Sequence, residues 1–446
     1  MEFLDSFVLP QSDHHMVLLR YLLILTYILF IPYISVLFGA AYLSLSYNKK
    51  GEQGGNKFYF KLAKDIIDLA TINKSIAFAL GIIPLLSATF CYAQLLSSGK
   101  VSLTGYLLTA LLFLVAGLIS LYSYKYSFHL KDIFGSVKEE TEDVKNELNK
   151  YKNISESLFK SAGKWGFYLI LIAVYIFFGA ASLAIDPSRW ESVSSIFSMI
   201  FSFSALLKFL LFVSFAFVTT SIVGVFYLNE ELEDSSAEYK EFVKDNLFNF
   251  GLASGAAASF LYVIVFLVSP KASLADTAFI AAAFALFAIL IVSSLIYLMM
   301  KEEGAKYINS AVTFLILFFI GFIVKEQSAF NSATVKPFYL AAEKYEKHLE
   351  EMKAEFGLGI VEISGEDIFN GRCVACHNFE QKLVGPAYNN VLPKYVNNQE
   401  GLVQFILNPT KVDPNFPPMP NQGLKPNEAQ AIADYILNVY KENNPQ

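Results

Sequence analysis

Eight apolar runs dominate this chain, near residues 19–46, 75–97, 103–128, 165–185, 205–228, 247–268, 275–300 and 306–324. Each is long enough for a helix to cross about 30 Å of hydrocarbon. In that medium every backbone polar group must be satisfied internally, and runs of this length meet the demand as helices. Only 17% of the 446 residues are charged, against roughly 25% in a soluble chain. The expected fold class is therefore all-α: a polytopic bundle of about eight helices over 1–324, lodged in a lipid bilayer. A net charge of −6 gives no reason to expect a nucleic-acid partner.

Orientation follows from the basic residues. Segments 47–74, 129–164, 229–246 and 301–306 carry 6, 7, 2 and 2 Lys or Arg, 17 in all, whereas the opposite loops carry only Lys100, Arg189 and Lys271. The basic side is the expected cytoplasmic side. An even number of spans then puts both termini on the outer side, the periplasm of a bacterium with the spans in its inner membrane. The first 16 residues hold no Lys or Arg, so no cleavable signal peptide is expected and the first span serves as its own insertion signal.

The two halves of the bundle share a pattern. Leu18-Leu19-Arg20-Tyr21-Leu22-Leu23 opens the first span and Leu206-Leu207-Lys208-Phe209-Leu210-Leu211 the fifth, while Lys64-Asp65 and Lys244-Asp245 precede the next spans. Two accounts compete: a four-plus-four duplication in parallel orientation, or the common vocabulary of membrane helices. Arg20 and Lys208 sit about one turn inside the outer boundary, where the expected behaviour is snorkelling to the headgroups. Pro32 and Pro84 are expected to kink their helices.

Beyond the spans, 325–361 reads as a helical stalk. Pro337 suits a first helical turn, and 337–355 is rich in Ala, Glu, Lys and Leu, roughly 30 Å if fully helical. Gly357 and Gly359 are expected to end it, and His348 on it to be a solvated surface residue. Residues 362–446 then form a separate domain.

That last domain contains Cys373-Val374-Ala375-Cys376-His377. Two cysteines at this spacing followed by histidine suit covalent attachment of haem c, with one thioether from each cysteine and the histidine on the iron. A structural zinc site would want two more ligands, and no Cys or His follows His377. A redox dithiol would want an α/β surround, which the pattern does not offer. Haem is attached to such motifs outside the cytoplasm, which agrees with the orientation drawn from charge. Met419 is the single methionine after the motif, in Pro417-Pro418-Met419-Pro420. Thioether sulfur is a soft ligand common in haem c proteins, and the flanking prolines stiffen the segment, so Met419 is the expected sixth ligand.

In size and motif order, 362–446 resembles a class I cytochrome c. The helix around Gly365–Gly371 would be the N-terminal helix of that fold, and Asn427–Ile436 the C-terminal one. Lys382-Leu383-Val384-Gly385-Pro386-Ala387-Tyr388 looks like the segment after the motif, in which a proline carbonyl accepts a hydrogen bond from the ligand histidine. The resemblance gives Pro386 that role and implies one-electron transfer.

The membrane half offers less. Outside stalk and haem domain the only histidines are His14, His15 and His129, all at span ends. Mid-depth Asp and Glu are missing from the runs as bounded above, which argues against a proton path. Tyr27-Ile28-Leu29-Phe30-Ile31-Pro32, with the basic loop and Lys61-Leu62-Ala63-Lys64, resembles the start of the large subunit of cytochrome bd-type quinol oxidases. That family has a haem-ligating histidine where this chain has Tyr27. His14 and His15 read as interfacial polar groups, with a shared haem, a metal or a quinol as the sharper alternative.

The expected function is a membrane-integral mono-haem cytochrome c subunit of a respiratory complex, partnered by other membrane subunits and a periplasmic redox protein. The rivals are a bd-related module that oxidises quinol and passes electrons to its own haem, and a transporter or sensor with a redox head.

Overall fold

The computed structural model describes residues 11–99, 101–136, 142–193, 195–231, 235–271, 274–301, 305–356 and 364–444. Gly357 and Gly359, expected to end the stalk, lie outside these residues, as does Lys100. The chain divides into two compact units, Met1–Tyr345 and Glu346–Gln446. No strand occurs among the described residues.

The first unit begins with α1 (Asp13–Gly54), the amphipathic α2 (Lys57–Ala70) and α3 (Lys74–Leu95). It continues with α4 (Thr104–Ser136), α5 (Glu142–Ala184), α6 (Phe203–Glu231), α7 (Ala237–Leu267), α8 (Asp276–Lys301) and α9 (Ile308–Ala333), and α10 (Val335–Glu355) runs from this unit into the second. All but α2 and α10 contain stretches long and apolar enough to cross a membrane, eight in total. The chain is a multi-pass membrane protein.

Helices α1 and α6, the first and fifth spans, pack on each other in the middle. A Cβ at Gly39 of α1 would collide with the Thr220 hydroxyl of α6. The glycine therefore lets two backbones approach as small residues do in lipid, where close packing replaces the hydrophobic drive. Around this pair the spans touch as first–second, second–third, third–fourth, fourth–first and fourth–fifth, then fifth–sixth, sixth–seventh, seventh–eighth, eighth–fifth and eighth–first. Advancing every span number by four turns this set of pairs into itself. The paired sequence motifs thus have a counterpart in the packing.

Pro32 lies inside the continuous α1. Pro84 follows a π turn over Phe78–Ile82. The wider turn spares the ring the usual clash with the carbonyl four residues back.

The eighth span differs most from the sequence reading. It was expected to end at 324, before Lys325 and Glu326, with a stalk from 325. Instead α9 runs on to Ala333, and Lys325, Glu326 and Gln327 are buried in the bundle. The physical reason is internal pairing. Glu326 Oε2 accepts from Lys208 Nζ at 2.7 Å and Oε1 from Lys325 Nζ at 2.7 Å. Lys208 is accordingly buried, not snorkelling. Arg20 is half-buried, bonds the Thr334 hydroxyl at 3.4 Å and lies 4.4 Å from the Phe338 ring centre.

Candidate haem site

The second unit is a small helical domain. Its α11 (Gly365–Ile368) starts on a Ser364 cap, whose hydroxyl accepts from Asp367 N at 3.1 Å. It runs into a π turn over Phe369–Cys373. After short helical turns at Tyr388–Val391 and Leu392–Tyr395 come the longer α12 (Gln399–Leu407) and α13 (Pro426–Asn443). The apolar positions Ala429, Ile432, Ala433, Ile436 and Leu437 of α13 are all buried, at the spacing of one helix face. They share a core with Phe369, Cys373, Leu392, Leu402 and Ile406.

Tight local turns bring the motif together. His377 N bonds Cys373 O at 2.9 Å and Cys376 N bonds the same carbonyl at 3.1 Å. Gly385 N bonds Cys376 O at 2.8 Å. This folds 385–388 back over the histidine, so closely that a Cβ at Gly385 would collide with the His377 ring. His377 Nδ1 lies 3.2 Å from Pro386 O. With the proton on Nδ1 donated there, Nε2 keeps a free lone pair. Tyr388 stacks on the imidazole at 4.9 Å, 17° from parallel.

A cleft of about 250 Å³ opens in this domain, lined by Cys373, His377, Pro386, Tyr388 and Met419 among mostly apolar neighbours. Cys373 and Cys376 are both free of disulfides. Burial pushes the Cys373 thiol up; Cys376 beside it acts in the same sense and Arg372 opposes. Met419 sits in a loop fixed at two points. Arg372 Nη1 donates to Gln422 O at 2.7 Å, and Asn421 Nδ2 to Leu407 O at 3.0 Å. Cys376 lines an adjoining pocket together with Cys373, His377, Pro386 and Met419. The donor set fits a haem c: two free thiols, one oriented imidazole and one thioether lie together around these two adjoining spaces.

The five residues singled out from sequence therefore converge here. Gly385, Tyr388 and Arg372 were not singled out. Each acts through a neighbour in space, although Gly385 lies beside Pro386 in the segment already read. The other histidines lie elsewhere. His14 and His15 are exposed in the first turn of α1, and His129 Nε2 is 3.4 Å from Asp68 Oδ1. Among the described residues no group of three or more His, Cys, Asp or Glu is arranged to hold a metal ion.

These features define a helical domain built to carry a covalent haem. The cytochrome c family profile matches residues 363–440. Cytochrome c-551 of Pseudomonas denitrificans is 38% identical over 79 residues, 17% of this chain and 95% of that protein. Cytochrome c-551 of Pseudomonas aeruginosa is 37% identical over 71 residues, 15% of this chain and 68% of that protein. Cytochrome c-552 of Hydrogenobacter thermophilus is 31% identical over 91 residues, 19% and 92% respectively. No solved structure gives a significant match. Through this domain the chain belongs to the cytochrome c family. It carries covalent, iron-containing haem c and transfers electrons.

Proposed function

We propose that this chain is a membrane-integral mono-haem subunit of a respiratory complex, passing single electrons on the periplasmic side of a bacterial inner membrane. The observation that carries the reading is the His377–Pro386 hydrogen bond in the wall of a cleft that Met419 also lines. Cys373 and Cys376 would hold the porphyrin as thioethers, and His377 Nε2 and Met419 Sδ would be the protein's ligands to the iron. When bound, the haem iron supplies a one-electron couple. The chain's residues do the rest. Pro386 O holds the Nδ1 proton, Tyr388 fixes the ring plane, and the apolar wall keeps water from the cleft. With His377 and Met419 both engaged on the iron, the domain would relay electrons and would not bind oxygen.

The uneven distribution of Lys and Arg between the loops supports the orientation. The tether raises the local concentration of the haem domain at a partner subunit of the same complex. The bd-type resemblance leads instead to a quinol-oxidising module. Tyr27, at that family's haem-ligand position, is hydrogen-bonded to the Tyr92 hydroxyl at 2.6 Å and packs 5.8 Å from the Phe177 ring. That filled position favours the subunit reading. The test is stopped-flow reduction of the purified holoprotein by a quinol. The subunit reading expects reduction only after partner subunits are added; rapid reduction of the isolated chain would sink it.

A further inference from the structure

The bundle contains a cluster of ionisable groups that electron relay does not use. Lys208 of α6 and Lys325 and Glu326 of α9 have side chains only 8%, 3% and 7% exposed. One carboxylate holds two ammonium groups, each at 2.7 Å. A structural ion pair in a low-dielectric interior is neutral. This cluster, fully ionised, carries one positive charge too many, and an uncompensated buried charge is strongly unfavourable.

Tyr27 of α1, Tyr92 of α3 and Tyr262 of α7 all lie within electrostatic range of Glu326. Tyr27 and Tyr92 share one hydrogen bond in which either can donate, and the buried Tyr262 hydroxyl has no hydrogen-bond partner.

Polar groups continue from the cluster in one direction. Along α9, Gln327 bonds Asn331 at 3.0 Å, and Thr334, just past the helix end, accepts from Arg20. In the other direction the buried side chains next to the cluster include Phe322, Phe319, Phe318 and Leu315 of α9 and Leu211, Phe212 and Phe215 of α6. Ser214, Thr219, Thr220 and Ser221 of α6 are buried on that side too, but the hydroxyls of the first three donate to backbone carbonyls of their own helix. Aromatic and aliphatic side chains thus separate the cluster from that side.

We infer that Lys208, Lys325 and Glu326 form a proton-exchange site, open only toward the end of the bundle where α9 passes into α10. The ligand is a proton from water on that side. One N–H bond forms on a lysine amine as the proton enters and breaks as it leaves, with no change of oxidation state. Glu326 keeps the two nitrogens together.

The test uses the full-length holoprotein, oriented in liposomes, and a triple variant Lys208→Met, Lys325→Met, Glu326→Gln. Removing all three charges together leaves no orphaned ion, so this variant is expected to fold, as its unchanged haem spectrum and melting would show. Proton uptake after a pH jump is read with a dye on each side, between about pH 5 and 10. The expected result is one proton per chain more for the natural protein than for the variant, arriving from the α9–α10 side. Lys208→Arg combined with Lys325→Arg, which keeps a permanent charge at both positions, should lose the same proton. Equal uptake by natural and triple-variant protein would reduce the cluster to a fixed ion network and overturn the proposal. Uptake from the opposite side would overturn its one-sided access.

Discussion

The haem domain and the membrane domain are both helical, yet they handle polar chemistry in opposite ways. In the haem domain the chemistry is local in sequence. Cys373, Cys376, His377 and Pro386 fall within a short stretch, and backbone turns gather them. In the membrane domain it is remote: Lys208 and Glu326 are 118 residues apart and meet only because the fifth span packs on the eighth. The first arrangement exposes its purpose in a pentapeptide. The second becomes visible only when helices are assembled.

The largest expected effect separates the two domains outright. Cys373→Ala with Cys376→Ala should abolish covalent haem, read by haem staining after denaturing electrophoresis, while the eight-span bundle keeps its helical circular dichroism. A bundle that failed to form without haem would break the comparison.

Next in size is Glu326→Ala, which strands two buried ammonium groups. Breaking such a network from one side costs about 3–5 kcal/mol, so the bundle should melt far earlier. The fully neutral triple variant should stay close to the natural protein. If both melt alike, the cluster is not energetically linked.

A smaller effect is expected at Arg372→Ala. It removes the bond to Gln422 O, worth about 1.5–3 kcal/mol for a charged donor in favourable cases and less on an exposed loop. The long-wavelength charge-transfer band of methionine-ligated ferric haem should bleach at lower temperature, with Arg372→Lys in between. An unchanged band would release Arg372 from any part in holding the Met419 loop.

How far these features were legible in the sequence depends on the same contrast. Eight apolar runs led to eight spans because spanning length and burial act on every residue of a run. The haem motif was legible because covalent attachment fixes both residue type and spacing. The end of the eighth span was misjudged because charges were read as leaving the bilayer. One signal was present: Phe318, Phe322, Glu326 and Phe330 recur every four residues and are all buried, which puts the carboxylate on the inward face. Its partner on α6 had no signal of that kind, since nothing in Leu206–Leu211 says which helix Lys208 will meet. Tyr27 shows the same limit, because its hydroxyl partner Tyr92 lies on another helix.

The smallest effect concerns Asp65 on α2. Burial holds its carboxyl above the usual carboxylate range, while the Tyr239 hydroxyl, donating at 2.6 Å, and Lys61 pull it back. A folded-state pKa above the unfolded one means its stabilising contribution is fully present below the unfolded pKa and is lost as pH rises through the folded one. Asp65→Asn should therefore raise the melting temperature slightly at neutral pH, with the difference vanishing in acid. A gain that grew on acidification would reverse the sign of this account.

The central claim is that the chain's redox chemistry resides in one covalent haem on its C-terminal domain and that its membrane half holds none. The most direct measurement is pyridine-haemochrome quantification of haem types per chain in the full-length protein purified from its own membranes. The account predicts one haem c and no haem b. Stoichiometric haem b retained by the isolated chain would contradict it, and would make His14 and His15 the first ligands to replace.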